Sequence, residues 1–105
     1  MNIKSGTEVA NESWGDVRLS NISWGNEGRD IVLTFHMHQQ RIGRLTGTWA
    51  HSLNIGLLSG NNEGGYPLTY EAKINEGEVN GWQVLFDFAN RGLIEFKCND
   101  LTLEG

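Results

Sequence analysis

The sequence predicts an all-β protein: an antiparallel β-sandwich or small barrel of about seven to eight short strands, with no substantial helix. Three observations carry that expectation. Apolar residues recur with period two in several separate stretches, the mark of strands buried on one face. Fourteen glycines and eleven asparagines, among 105 residues, cluster between those stretches, and both residue types enter tight turns at low cost. The one window with helical spacing, Ile42, Leu45 and Trp49, contains Gly43 and Gly47, which together disfavour a helix by about 2 kcal/mol relative to alanine. Short strands with turns every 8–12 residues build sandwiches and barrels.

Residues 1–105 are expected to form a single domain, with 1–13 a poorly ordered N-terminal segment. Val17 and Leu19 hold one phase and Ile22 and Trp24 the other, which predicts a bulge near Ser20-Asn21. After the turn Gly25-Asn26-Glu27-Gly28, the residues Ile31, Leu33, Phe35 and Met37 alternate as the buried face of a second strand. Residues 44–51 read as a strand with Leu45, Gly47 and Trp49 facing the core. Pro67 opens the next strand, where a missing N–H is tolerated, and Tyr66, Leu68, Tyr70, Ala72 and Ile74 share its face. Asn75-Glu76-Gly77 and Asn80-Gly81 are turn signals. Trp82, Val84, Phe86 and Phe88 form an inward row, with Trp82 placed in the core, and Trp24 is expected to plug an end of the sandwich. Ile94, Phe96 and Cys98 follow after Asn90-Arg91-Gly92, and a phase change across Asn99-Asp100 hands over to Leu101 and Leu103.

The net charge of −5 disfavours nucleic acid as a partner, because affinity for a phosphate backbone comes from cationic side chains. The charges are unevenly distributed. Residues 31–62 hold Arg41, Arg44 and all three histidines with no carboxylate, whereas 63–105 carry eight acidic and three basic groups. No apolar run approaches the length of a membrane span. The N-terminus has no apolar stretch of the kind that a secretory signal needs, so a cytoplasmic protein is expected. Cys98 is the sole cysteine, which excludes an intrachain disulfide.

Candidate chemistry is sparse. His36 and His38 stand two apart, on one face of an extended strand, as two ligands of a metal site would, and His51 is the available third. Two solvent-facing histidines are the simpler reading, and no metal or other cofactor is expected. Cys98 shares the parity of Ile94 and Phe96, which predicts a buried thiol. Glu71 and Glu95 sit on polar strand faces and could approach each other as a glycosidase pair would, but none of the sequence motifs of hydrolases or nucleotide-binding enzymes is present. The chain is therefore expected not to be an enzyme. Trp14 and Trp49 are candidate exposed indoles, suited to stacking on a sugar or anchoring an interface. Glu71, Glu76, Glu78 and Glu95 are the candidate acidic contacts for a basic protein partner.

The run Ser13-Trp14-Gly15-Asp16-Val17-Arg18-Leu19, followed by Ile22-Ser23-Trp24 and Asp30-Ile31-Val32-Leu33-Thr34-Phe35, resembles small bacterial all-β domains. So does Trp82-Gln83-Val84-Leu85-Phe86-Asp87-Phe88 with Gly92-Leu93-Ile94-Glu95-Phe96-Lys97-Cys98-Asn99-Asp100-Leu101. Such domains include uncharacterised families and immunity proteins of toxin systems. Gly15 stands where that pattern often has histidine. The resemblance implies no active site. It implies a bacterial binding protein that masks a partner. The leading expectation is accordingly protein–protein binding, as an immunity-type inhibitor of a toxin or through self-association. The alternative is a sandwich that binds carbohydrate or another small ligand through an exposed tryptophan, and the least favoured is a metal-dependent enzyme using His36 and His38.

Overall fold

The computed structural model describes residues 3–57, 65–77 and 80–105. Among them, nine strands form two antiparallel sheets, and the one α-helix, α1 (Thr7–Ala10), is a single turn. The first sheet has the order β1 (Ile3–Ser5), β9 (Asp100–Glu104), β4 (Ile42–Thr48), β3 (Asp30–His36), β2 (Arg18–Gly25). The second has the order β5 (His51–Leu57), β8 (Gly92–Cys98), β7 (Trp82–Asp87), β6 (Glu71–Glu76). No helix is long and apolar enough to cross a membrane among the described residues.

The sandwich follows from the alternation. In the first sheet, Ile22, Leu33, Leu45 and Leu103 stand in one cross-strand row, and Ile31, Gly47 and Leu101 in another. In the second sheet, Phe86 aligns with Ile94, and Val84 with Phe96. These inward rows form one continuous buried cluster. The expected bulge is present as a register shift between Leu19 and Asn21. The phase change at Asn99 also has a cause: β8 belongs to the second sheet and β9 to the first, so the chain changes sheets there. Gly47 sits where the sheets come closest, and a Cβ added to it would lie 2.8 Å from Phe96 Cε2 and 3.2 Å from Cys98 Sγ. Burial, with a smaller contribution from Asp100, pushes the Cys98 thiol up to about 12, so the thiol stays protonated, as a core residue rather than a nucleophile.

Several expectations need correction. The N-terminal segment is not unstructured over residues 3–13. Strand β1 pairs with β9, and α1 places Val9 fully in the core. Glu12, almost buried, is bridged by Lys4 and by Arg41 at 3.3 Å, which ties the segment to the turn after β3. The strand expected at 44–51 is two strands: β4 ends at Thr48 and β5 starts at His51 in the other sheet. Trp49 lies between them with φ 52° and leaves the core phase of Leu45 and Gly47. Trp82 is half-buried against the core edge, and Trp24 is 59% exposed rather than plugging an end. Finally, β6 begins only at Glu71, and Tyr66, Leu68 and Tyr70 face outward. There Thr69 takes the inward position and is fully buried.

Two expected outcomes follow. Gly47→Ala should destabilise the protein by about 1–3 kcal/mol in urea unfolding, since the methyl has no room between the sheets. Glu12→Gln should cost about 1 kcal/mol at neutral pH, the scale of a partly exposed ion pair. The Lys4 hydrogen bond, reinforced by Arg41 and opposed by burial, holds the Glu12 carboxyl below its ordinary value of 4.5. A depressed acid stabilises the fold above its unfolded value and loses that contribution as pH falls through its folded value. The gap between wild type and Glu12→Gln should therefore close on acidification below pH 4.5, and a pH-independent gap would show that the charge is not responsible.

Candidate functional site

Two surfaces, at opposite ends of β3, present large apolar side chains to solvent. The first lies at the Asp30 end. Asp30 is 6% exposed, and its carboxylate accepts hydrogen bonds from Asn26 Nδ2 and from the backbone N–H of Trp49 at 3.2 Å. Ala50 N–H adds a bond to Arg29 O at 2.8 Å. The two turns, 25–29 and 49–50, are thereby fastened together. The Trp49 indole is 56% exposed, and the Arg29 guanidinium lies over its ring at 5.2 Å from the centroid. Trp24 is at the same end, since its neighbour Gly25 pairs with Asp30.

The backbone at Trp49 sets it apart. Among the described residues, nine non-glycine residues have positive φ. Seven of them are Asp, Asn, Glu, Gln or Ser, and only Trp49 and Ala89 fall outside that set. For a bulky residue the left-handed region costs roughly 1–2 kcal/mol, and such outliers concentrate at functional sites.

The second surface lies at the His36 end. Residues 66–70 run as a ridge whose backbone is fixed on both sides. Leu19 N–H donates to Pro67 O, Thr69 N–H to Val17 O and Asp16 N–H to Thr69 O, while Tyr70 N–H donates to Asp87 O, at 2.8–3.0 Å. Tyr66 and Tyr70 are 51% and 70% exposed, and His36 stacks on Tyr66 with centroids 5.7 Å apart. An open cleft of about 380 Å³ runs along the ridge, lined by Asp16, Arg18, Asn90 and Arg91 together with the buried Phe88 and Thr69. Thr69 Oγ1 is buried with no hydrogen-bond partner.

The residues expected to be functional are dispersed. Trp14 is not exposed. It is 4% accessible, packs edge-on against Phe35 and Phe86 at 5.2 and 5.0 Å, and donates its Nε1–H to Val9 O at 2.9 Å. The acceptor comes from a helical turn with no periodic signal in sequence. Glu71, Glu76 and Glu95 are exposed, and Glu78 lies outside the described residues. Glu95 stands in one outer row with Leu85 and Lys73, beside Lys97, so this face mixes both signs. β7 separates Glu71 from Glu95, about 10 Å across two strand spacings. His36 ends β3 and His38 lies in the following 3-10 turn, where its Nε2 donates to Gly15 O at 2.9 Å, so the shared strand face is lost. His51 is near Trp49 at the other end. Among the described residues no group of three or more His, Cys, Asp or Glu is placed to hold a metal ion. In sequence the Tyr66–Tyr70 ridge is indistinguishable from a core row, because its residues alternate as those of the buried strands do.

No protein-family model and no curated protein matches this chain. Among solved structures it is similar to an uncharacterized protein from Neisseria gonorrhoeae, known from its crystal structure, with a TM-score of 0.66 and 13% sequence identity. The likeness covers 100% of this chain and 99% of that one. It is a likeness of fold, and it extends the all-β architecture to an uncharacterized bacterial protein.

Tryptophan fluorescence checks this arrangement. The double variant Trp24→Phe/Trp49→Phe should emit at shorter wavelength than wild type and be far less quenched by acrylamide. Trp14→Phe removes a protected emitter and should not lower the quenching, and Trp14→Ala should destabilise by about 3–5 kcal/mol.

Proposed function

We propose that this protein is a non-catalytic binding module that acts by contact with a protein partner, most concretely as an immunity-type inhibitor, and that its anchor is the Trp49 end of the sandwich. The single observation behind this reading is the exposed Trp49 indole, held in left-handed backbone by a buried carboxylate with Arg29 over its ring. Tryptophan and arginine are the residue types that dominate binding energy at protein interfaces. An anchor fixed before contact loses little conformational entropy on binding. Trp24, exposed at the same end, extends the apolar area.

The acidic face makes a smaller contribution in this reading. Lys73 and Lys97 lie among Glu71 and Glu95 on the outer face of the second sheet, so like-signed steering of a basic partner is weakened. Binding through the Trp49 end depends on desolvated apolar contact, which salt screens little.

The test uses Trp49→Asn and the polypeptide encoded beside this chain in its genome. Asparagine enters the left-handed region readily, so the variant should be at least as stable as wild type in thermal unfolding. Its affinity for the partner, by calorimetry, should fall at least about 30-fold, the scale of a hot-spot residue. Glu95→Gln should change it by less than about threefold. Absence of any complex with wild type, or unchanged affinity of Trp49→Asn, would sink the reading.

A further inference from the structure

We infer that the cleft along the Tyr66–Tyr70 ridge is a second binding site, for a neutral sugar ring. It lies at the other end of β3 from the Trp49 anchor, so it stands apart from the protein-contact reading.

The inference rests on the mixed chemistry of the cleft. A pyranose has two apolar C–H faces and a rim of hydroxyls, each both donor and acceptor. The cleft offers both kinds of complement. Tyr66 and Tyr70 supply exposed ring surface beside the buried Phe88. Around them stand a carboxylate acceptor, Asp16, guanidinium donors, Arg18 and Arg91, and an amide that does both, Asn90. A simple anion would meet Asp16 as well as the arginines. A purely apolar ligand would strip water from four polar side chains without replacing their hydrogen bonds. A ring edged with hydroxyls leaves neither conflict.

The cleft is also pre-shaped. Arg18 Nη1 donates to Tyr66 O at 3.3 Å and Arg91 Nη2 to Gly65 O at 3.4 Å, so each guanidinium is tied to the start of the ridge. Asp16 and Ala89, both lining the cleft, have φ of 63° and 55°. Asp16 N–H is held by Thr69 O and Ala89 N–H by the Asp87 carboxylate, each at 2.8 Å. Two left-handed residues lining one cleft match the clustering of such outliers at ligand sites. The volume of about 380 Å³ is in the range of small-ligand sites.

The experiment is titration of the nitrogen-15-labelled protein, followed by amide NMR shifts. The probes are methyl β-glucoside, methyl β-galactoside and N-acetylglucosamine, each to about 50 mM, a range that reaches millimolar affinities. Sorbitol, which carries hydroxyls without a ring face, and sodium acetate are run alongside. At least one sugar should give saturable shifts confined to residues 66–70, 89–91 and 16–18. Tyr70→Ala should weaken the response at least about tenfold by removing stacking area, and Asp16→Asn by a smaller factor. Trp49→Asn should leave it unchanged. Tyr70 is 70% exposed, so its variant should keep the wild-type thermal midpoint. The inference is overturned if no sugar produces saturable shifts, if sorbitol matches the sugars, or if acetate moves the same amides more strongly. Loss of partner binding in Trp49→Asn bears on the other end of the molecule and decides nothing here.

Discussion

Phe35 of the first sheet and Phe86 of the second meet with ring centroids 5.0 Å apart, and Trp14 closes edge-on over both. This three-ring contact joins the two sheets to the N-terminal segment, because the Trp14 indole reaches back to Val9 O. Rings in such tilted and edge-to-face arrangements add roughly 0.5–1.5 kcal/mol per pair beyond the area they bury. More important is what the contact positions. Phe86 also neighbours Phe88, with ring centroids 6.5 Å apart, and Phe88 is among the residues that line the cleft. The Asp16 and Arg18 side of the cleft follows Trp14 in sequence by two and four residues. The cleft is thus built directly on this buried ring cluster, where close packing leaves little room for side chains to shift.

The other end is organised by a charge instead of by rings. Asp30 is nearly buried, and an unpaired carboxylate there would be costly. Its partners, Asn26 and the Trp49 N–H, come from two different turns, so satisfying the carboxylate fixes the turns to each other. The left-handed Trp49 backbone is held by that same requirement. Nothing in this arrangement needs the indole itself, since the bond is made by the backbone. The side chain at position 49 is therefore not needed to hold the turns together, and its ring is left to the Arg29 guanidinium and to solvent.

Much of the fold was legible because period two in the sequence is a direct record of which residues share a strand face. The inward rows of β3, β7, β8 and β9, and the bulge after Leu19, all came from it. Period two does not say which face is covered. Tyr66, Leu68 and Tyr70 alternate as regularly as Ile31, Leu33 and Phe35, yet the first set is exposed and the second buried. The difference lies in long-range hydrogen bonds to Val17, Leu19 and Asp16, which local pattern does not contain. Continuing the phase of Leu45 and Gly47 places Trp49 inward. One left-handed residue ended that phase, and tryptophan gives no warning of such a conformation. Trp14 was unreadable for the opposite reason: its indole N–H is satisfied by a carbonyl five residues earlier, in a turn without a hydrophobic period.

The interactions along β3 argue against strong coupling between the two ends. Between Asp30 and His36 the strand is held by ladder bonds to β2 and β4 along its length, and its inward residues Ile31, Leu33 and Phe35 are fully buried. A tightly packed strand of this kind transmits displacement only if it has a second arrangement to move into. The close approach at Gly47 leaves no room for the sheets to slide together, and the paired rows on either side fix the register. Occupation of one end should therefore leave the other in place. That rigidity accounts for how a chain of this size could carry two independent surfaces: each end is shaped by its own local constraint, a carboxylate in one case and a ring cluster in the other, and the strands between them serve as a fixed spacer.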